Sequence, residues 1–277
     1  MPIVVIVLVA AALHASWNAL VSPASDRVAL VATINAISVA ICVPVALLAA
    51  TVHAAAWPEL AASAALHLLY NWLLVAAYTD GDFSQVYPLA RGTAPPTVAI
   101  ASAIVLGEGL SAARVGGIVL ISAGLFALAI GPRGASRRAV GLAFATGLAI
   151  AAYTVCDGVG VRHSGTPTGY VTWLIAASGS LTALTMLHAL RRRTGARTSA
   201  RSLALPGFIA AVFSIVAYGL VLWAQTRGAL AVVAGLRETS VVFAALIGAL
   251  AFREPLPARR VIASVLVALG AVALALG

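Results

Sequence analysis

The sequence predicts an all-α membrane protein of ten transmembrane helices, built as two inverted five-helix repeats. Three observations predict it. Hydrophobic residues fill 62% of the 277 positions and charged residues only 9%, with a mean hydropathy of +1.05; a soluble domain carries about a quarter charged residues. The apolar runs are ~20 residues long, the length that spans ~30 Å of hydrocarbon at ~1.5 Å per residue. Finally, the chain matches itself: residues 72–131 lie over 218–277 without a gap, pairing Arg91 with Arg237, Thr93 with Thr239, Glu108 with Glu254, Arg114 with Arg260 and Gly124 with Gly270.

The helices follow in order from breaks in the apolar runs. The first runs from Pro2 to Val21 and stops at Ser22-Pro23, the second from about Val28 to Val52, and the third from Glu59 to Thr79. Asp80-Gly81-Asp82 turns the chain into the fourth, which continues to about Leu106 and contains Pro88, Pro95 and Pro96. Prolines there kink or unwind a helix by removing backbone donors. The fifth follows Arg114 and stops at Gly131-Pro132; the remaining five occupy roughly 139–161, 169–190, 203–226, 230–252 and 259–277. Residues 1–131 are therefore the first repeat, 132–138 a linker and 139–277 the second repeat. Because five is odd, the second copy enters the membrane upside down. Gly116, Gly117, Gly124 and Gly270 read as places where helices touch closely.

Charge and cysteine usage narrow the function classes. The net charge of +9 comes entirely from arginine over acid, with no lysine. Most arginines sit in short connections, where they meet lipid head groups and set topology, so nucleic acid is not the expected partner. Arg27, Arg133, Arg137, Arg138, Arg191, Arg192, Arg193, Arg197, Arg201, Arg253, Arg259 and Arg260 fall on one side, and Arg114, Arg162 and Arg227 on the other. An excess of positive charge faces the cytoplasm, which puts both termini outside. Arginine- and alanine-rich, lysine-free usage points to a GC-rich bacterium and hence to its cytoplasmic membrane. Cys42 and Cys156 lie in apolar segments and read as small packing residues. No metal-ligand, phosphate-loop, nucleophile-elbow or dinucleotide pattern is present, so no cofactor, metal or catalytic residue is expected. An inverted repeat is the architecture of many secondary transporters, whose substrates bind near the midplane between the halves. A membrane enzyme acting on lipid-borne substrates would instead gather its reactive groups at one interface, and a non-transporting membrane scaffold or sensor would leave intramembrane charges without a use.

The Trp17-Asn18 pair, the paired turns Leu-Gly-Glu-Gly-Leu (106–110) and Phe-Arg-Glu-Pro-Leu (252–256), and the Gly124 and Gly270 positions resemble the drug/metabolite transporter superfamily, of the ten-helix EamA type, over the whole chain. The His14-Ala-x-Trp17-Asn18 start and Tyr153-x-x-x-Asp157-Gly-x-Gly160-x-Arg162 are similar to a subgroup associated with phosphonate utilisation. The resemblance implies a central cavity lined by the first, third, fourth, sixth, eighth and ninth helices, rocking of the two halves, export as the commoner direction, and both termini inside, the opposite of the arginine count.

Candidate site residues come from the cost of burying polarity. An ionised side chain at the bilayer centre costs at least ~2.5–3.5 kcal/mol, so intramembrane charges are functional candidates. Arg91 lies ~6 Å from the midplane and Arg237 at the inverted equivalent, ~10–12 Å from it along the membrane normal. A guanidinium grips carboxylate or phosphate in two-toothed fashion, which points to an anionic or zwitterionic small molecule. The alternative is neutralisation by an internal acid, Asp157 or Glu238. Asp157 follows Tyr153 by one turn, and Asn18 follows His14, so each pair shares a face. If those faces meet they make a polar cluster, in which Asp157 serves as a proton-coupling site or locks the repeats together. His67 and Asn71 share a face of the third helix, Ser84, Tyr87 and Arg91 one of the fourth, and Ser214, Tyr218 and Gln225 one of the eighth. Trp17, Trp72, Trp173 and Trp223 line a pocket or anchor at the interface. Glu108 and Glu254 are expected to staple turns beside Arg114 and Arg253 or Arg260. The candidate substrate contacts are Arg91, Arg237, Trp17, Asn18, Asn71, Tyr87, Tyr153, Tyr218 and Gln225; the candidate coupling groups are Asp157, His14 and Glu238. Substrate and lipid are the expected partners, and the chain acts as a monomer or a homodimer.

Overall fold

A computed structural model describes residues 2–21, 26–48, 51–130, 136–191, 199–253 and 255–277. The helices are α1 (Pro2–Val21), α2 (Arg27–Leu48), α3 (Trp57–Asp80), α4 (Phe83–Leu106), α5 (Ala112–Ala129), α6 (Arg137–His163), α7 (Pro167–Arg191), α8 (Ala200–Gln225), α9 (Leu230–Arg237), α10 (Ser240–Ala251) and α11 (Ala258–Leu276), with a 3₁₀ turn at Ala54–Ala56. Together α9 and α10 make the ninth span, so among the described residues ten spans are long and apolar enough to cross a membrane. Helix starts are set locally. The side chains of Asp26, Ser111, Ser136 and Thr166 accept from the backbone of Ala29, Arg114, Ala139 and Gly169, satisfying donors that a first turn leaves open. Gly107 closes α4 at φ 66°, in the left-handed conformation natural to glycine. Within the helices, Thr33, Thr93, Thr97 and Thr146 return their hydroxyls to the preceding turn, so these groups reach the apolar phase already bonded.

The connections alternate between two faces. On one, Asp80 meets Ser136 and Arg138, and Arg259 donates to the Ile130 carbonyl. On the other, His53 donates to the Ser164 carbonyl, Leu230 N–H to Glu108, and Ser111 to the Gly277 carbonyl. The halves are not separate cores. Helix α3 packs on α6 as α1 packs on α8, α4 on α6 as α9 and α10 pack on α1, while α2 pairs with α7 and α5 with α11. This is the pattern produced by a twofold exchange of the two inverted five-span units. Part of the expected linker, 131–135, lies outside the described residues, as do Ser22-Pro23, Glu254 and the Arg192, Arg193 and Arg197 segment.

Two departures from the sequence reading bear on the site. The proline-rich α4 is not unwound but helical from end to end, whereas the ninth span, expected unbroken over 230–252, changes winding at its charged residues. Glu238, Thr239, Val241 and Val242 each donate to the carbonyl three residues back, a 3₁₀ stretch of the kind that marks hinges inside helices. Among the glycines, a Cβ on Gly117 would lie 2.7 Å from the Gly270 carbonyl, and one on Gly270 would lie 2.6 Å from that of Gly117. Gly116, expected in the same role, has nothing within 4 Å of the added atom. Gly270→Val is therefore expected to cost at least ~1–3 kcal/mol by overpacking, and Gly116→Ala to gain up to ~1 kcal/mol from helix propensity. Thermal unfolding in detergent reads both, and equal responses would rule out the close crossing.

Candidate functional site

Helix α4 comes near α6 where Gly147 faces Ala90 and Thr93, a Cβ there lying 2.7 Å from the Ala90 carbonyl. Between those two α4 residues stands Arg91, 6% exposed. Its Nε lies 2.7 Å from Glu238 Oε2, its Nη2 donates to Ser240 Oγ at 3.3 Å, and its guanidinium lies 5.9 Å from the Tyr87 ring centre. Glu238 is fully buried. In the 3₁₀ stretch successive side chains turn by about 120° rather than about 100°, which separates Glu238 further from the neighbouring Arg237. Arg237 is 7% exposed, and its Nε has no hydrogen-bond partner among the described residues. Both guanidiniums act electrostatically on the one carboxylate. Two buried cations thus share one acid.

A second group centres on Asp157 of α6, also fully buried. Tyr170 of α7 donates to Oδ1 at 3.2 Å and Tyr218 of α8 donates to Oδ2, with the Ser63 hydroxyl of α3 nearby. A Cβ at Gly160 would lie 2.6 Å from Tyr170 Cε2, so a glycine there lets that ring lie against α6. His67 Nε2 is 3.4 Å from Tyr218 Oη, and its ring stacks on Tyr153 at 4.1 Å; Tyr70 meets Tyr153 edge-on at 5.8 Å. Among the described residues Asp157 makes no ion pair, so hydroxyls alone hold this acid. Tyr218 also lies within electrostatic reach of Arg237, linking the two groups. His14, Tyr70 and Tyr218 are deep in the bundle yet keep accessible surface.

The other sequence candidates scatter. His14 is within reach of both arginines and meets Trp17 edge-on at 5.3 Å. Asn18 turns its amide back to the His14 carbonyl at 2.7 Å, so the proposed meeting of the His14–Asn18 and Tyr153–Asp157 faces is replaced by a cage from α3, α7 and α8. Trp17 packs on Leu30, Ile34 and the alanines of α8. Asn71 donates to Thr182 Oγ1 of α7 at 3.2 Å. Gln225 is fully buried at the end of α8, where its carbonyl accepts from Arg162 Nε at 3.0 Å. That bond places it two turns from Tyr218 along α8, at the membrane face. Trp72 is exposed on the outside, Trp173 packs on Trp57, and Trp223 lies under Arg227.

Glu108 does staple a turn, with a different partner. It pairs with Arg162 at 3.0 Å rather than Arg114, and accepts from Leu230 N–H at 2.8 Å, capping α9. Arg162 also donates to the Gly228 carbonyl at 2.9 Å. Two open clefts of about 330 and 450 Å³ share Arg162, Thr226 and Arg227 on this face. Sequence reasoning passed over Ser63, Tyr70, Tyr170 and Ser240. Serine and tyrosine are ordinary in apolar helices, and only contact with a charge from another helix singles these out.

Comparisons with known proteins agree with this architecture. The family model described as EamA-like transporter family matches residues 137–276. A solved structure described only as "Crystal structure of protein" is 18% identical, covers 98% of this chain and 94% of its own length, and superposes with a TM-score of 0.76. That likeness concerns the fold. No curated protein matches in sequence.

Proposed function

The chain belongs to the EamA-like transporter family, and from that premise we propose that it is a secondary active transporter of a small anionic or zwitterionic metabolite, working by alternating access. The observation that carries the reading is Arg237: a permanently charged guanidinium, buried, and without a hydrogen-bond partner at Nε among the described residues. Among the described residues it makes no ion pair of its own and only shares the field of Glu238 with Arg91; burying such a group is costly, and an anionic ligand offsets the cost. Arg91 is held by Glu238 in this state, so the pair is the element that rearranges as the two halves rock, with the 3₁₀ stretch as its hinge. Asp157 is the proton-coupling group, being a buried carboxylate held by hydroxyls and no cation. Export across a bacterial cytoplasmic membrane is the direction and place this reading adopts. One chain supplies every proposed site residue, so a monomer suffices. The buried charges lie inside the bundle instead of at an interface, which supports transport over an enzyme acting on lipid-borne substrates.

A thermal-shift panel on purified protein tests this, using lactate, glutamate, methylphosphonate, aminoethylphosphonate and choline; the phosphonates are included because of the resemblance of the 153–162 segment. A ligand present at ~100 times its dissociation constant adds about 2.7 kcal/mol of stability. Stabilisation by at least one acid, followed by its flux in proteoliposomes, is expected. Stabilisation by choline alone would overturn the anion reading.

A further inference from the structure

We propose that Asp157 and His67 are the two ends of a proton wire that passes through the Tyr218 hydroxyl, with His67, which keeps accessible surface, as the station that exchanges protons with the surroundings of the cage. The inference rests on the reading of Asp157 as the coupling group and assigns it a partner. It follows from counting hydrogens. His67 Nδ1 lies 2.9 Å from the Ser63 carbonyl, which only accepts, so Nδ1 carries a hydrogen whether the ring is neutral or charged. Nε2 is then the atom whose state changes. Tyr218 Oη stands between that Nε2, at 3.4 Å, and the Asp157 carboxylate, with one hydrogen to give.

Two hydrogen arrangements fit the same heavy atoms. In one, protonated Asp157 donates to Tyr218 Oη, and Tyr218 donates to the lone pair of His67 Nε2. In the other, the imidazolium donates from Nε2 to Tyr218, and Tyr218 donates to the carboxylate. Conversion moves the Asp157 proton onto Oη while the tyrosine's own proton passes to Nε2. Tyr218 ends as neutral as it began, and the total charge of the group is unchanged.

Burial gives the wire its direction. Asp157 and Tyr170 are fully buried, while His67 and Tyr218 keep accessible surface. Tyr170 therefore ends the chain on one side. The Ser63 hydroxyl, near Asp157, lies 3.2 Å from Nδ1, but Nδ1 already carries a hydrogen and offers no acceptor. The other ionisable groups around the cage are Cys156 on α6, Glu59 on α3, which is paired with His163 at 3.2 Å, Tyr153 against the His67 ring, Tyr70 beyond it, and Arg237 in reach of Tyr218. None of them bridges Asp157 to a second titratable group as the Tyr218 hydroxyl does to His67.

Infrared spectroscopy of the purified full chain tests the wire without any ligand. A protonated Asp157 gives a carboxyl C=O band that disappears in Asp157→Asn, and transfer to deuterium oxide shifts the band at the rate of proton exchange. Exchange is expected to slow at least about tenfold in Tyr218→Phe and in His67→Gln, each of which breaks a different link. One folded variant of the two decides the matter, with folding read from its thermal unfolding. Exchange at the unaltered rate in a folded variant overturns the wire and leaves Asp157 as a coupling group reached some other way. Absence of an Asp157 band at every pH the protein tolerates overturns the coupling role and the wire together.

Discussion

Arg91→Met is expected to cost ~3–5 kcal/mol of stability, the usual penalty for removing one partner of a buried ion pair. The loss comes from Glu238, which would stay fully buried with its 2.7 Å partner gone. The Ser240 hydroxyl would lose its guanidinium as well. The companion Arg91→Met/Glu238→Leu removes both charges, and replacing a whole buried pair by apolar side chains is often neutral or stabilising. Part of the loss should therefore return in the double variant, and the rest only when Arg237→Met is added, since Arg237 shares the same carboxylate, as unfolding in detergent will show. If the single variant loses under ~1 kcal/mol, Arg237 has moved across to Glu238, and the pair is not what holds the ninth span to α4.

Arg237→Met should behave in the opposite way. Its guanidinium has no hydrogen bond at Nε to lose and a desolvation cost to recover, so the melting temperature should hold or rise. Flux of a transported anion should nonetheless fall on the order of 10²-fold, because truncating one side of a buried charge pair typically costs ~2–5 kcal/mol of binding. Stability and flux thus separate for Arg237 and move together for Arg91. Unaltered flux in Arg237→Met, in a protein that transports an acid, would remove Arg237 from the substrate site.

These contrasts were beyond the reach of sequence. The inverted repeat makes Arg91 and Arg237 equivalent, yet among the described residues only Arg91 stands within ion-pair distance of an acid. What breaks the equivalence is Glu238, which has Gly92 as its counterpart in the first repeat; one acid cannot serve two cations at hydrogen-bond distance. Local chemistry also misdirected the search for irregular backbone. Three prolines drew attention to the fourth helix, which stays helical, while the 3₁₀ stretch arose in a proline-free segment beside the ion pair. The polar cluster was legible in half. Tyr153 and Asp157 share a face as their spacing requires, but among the described residues no hydrogen bond joins His14 or Asn18 to Asp157, and Tyr170 and Tyr218 from two other helices supply its hydroxyls.

The sequence by itself determined the solvent, the ten spans, the alternation of the connections between two faces and the pairing of two five-span units. Those follow from run length, hydropathy and an odd repeat, which are properties of the chain alone. Only the tertiary structure decided which buried acid meets which buried base, which tyrosines hold Asp157, and that Glu108 reaches Arg162 instead of Arg114. Each of these depends on a side chain arriving from a helix distant in sequence. In a bundle with so few polar groups, a shift of one helical turn exchanges one partner for another, and neither spacing nor composition records it.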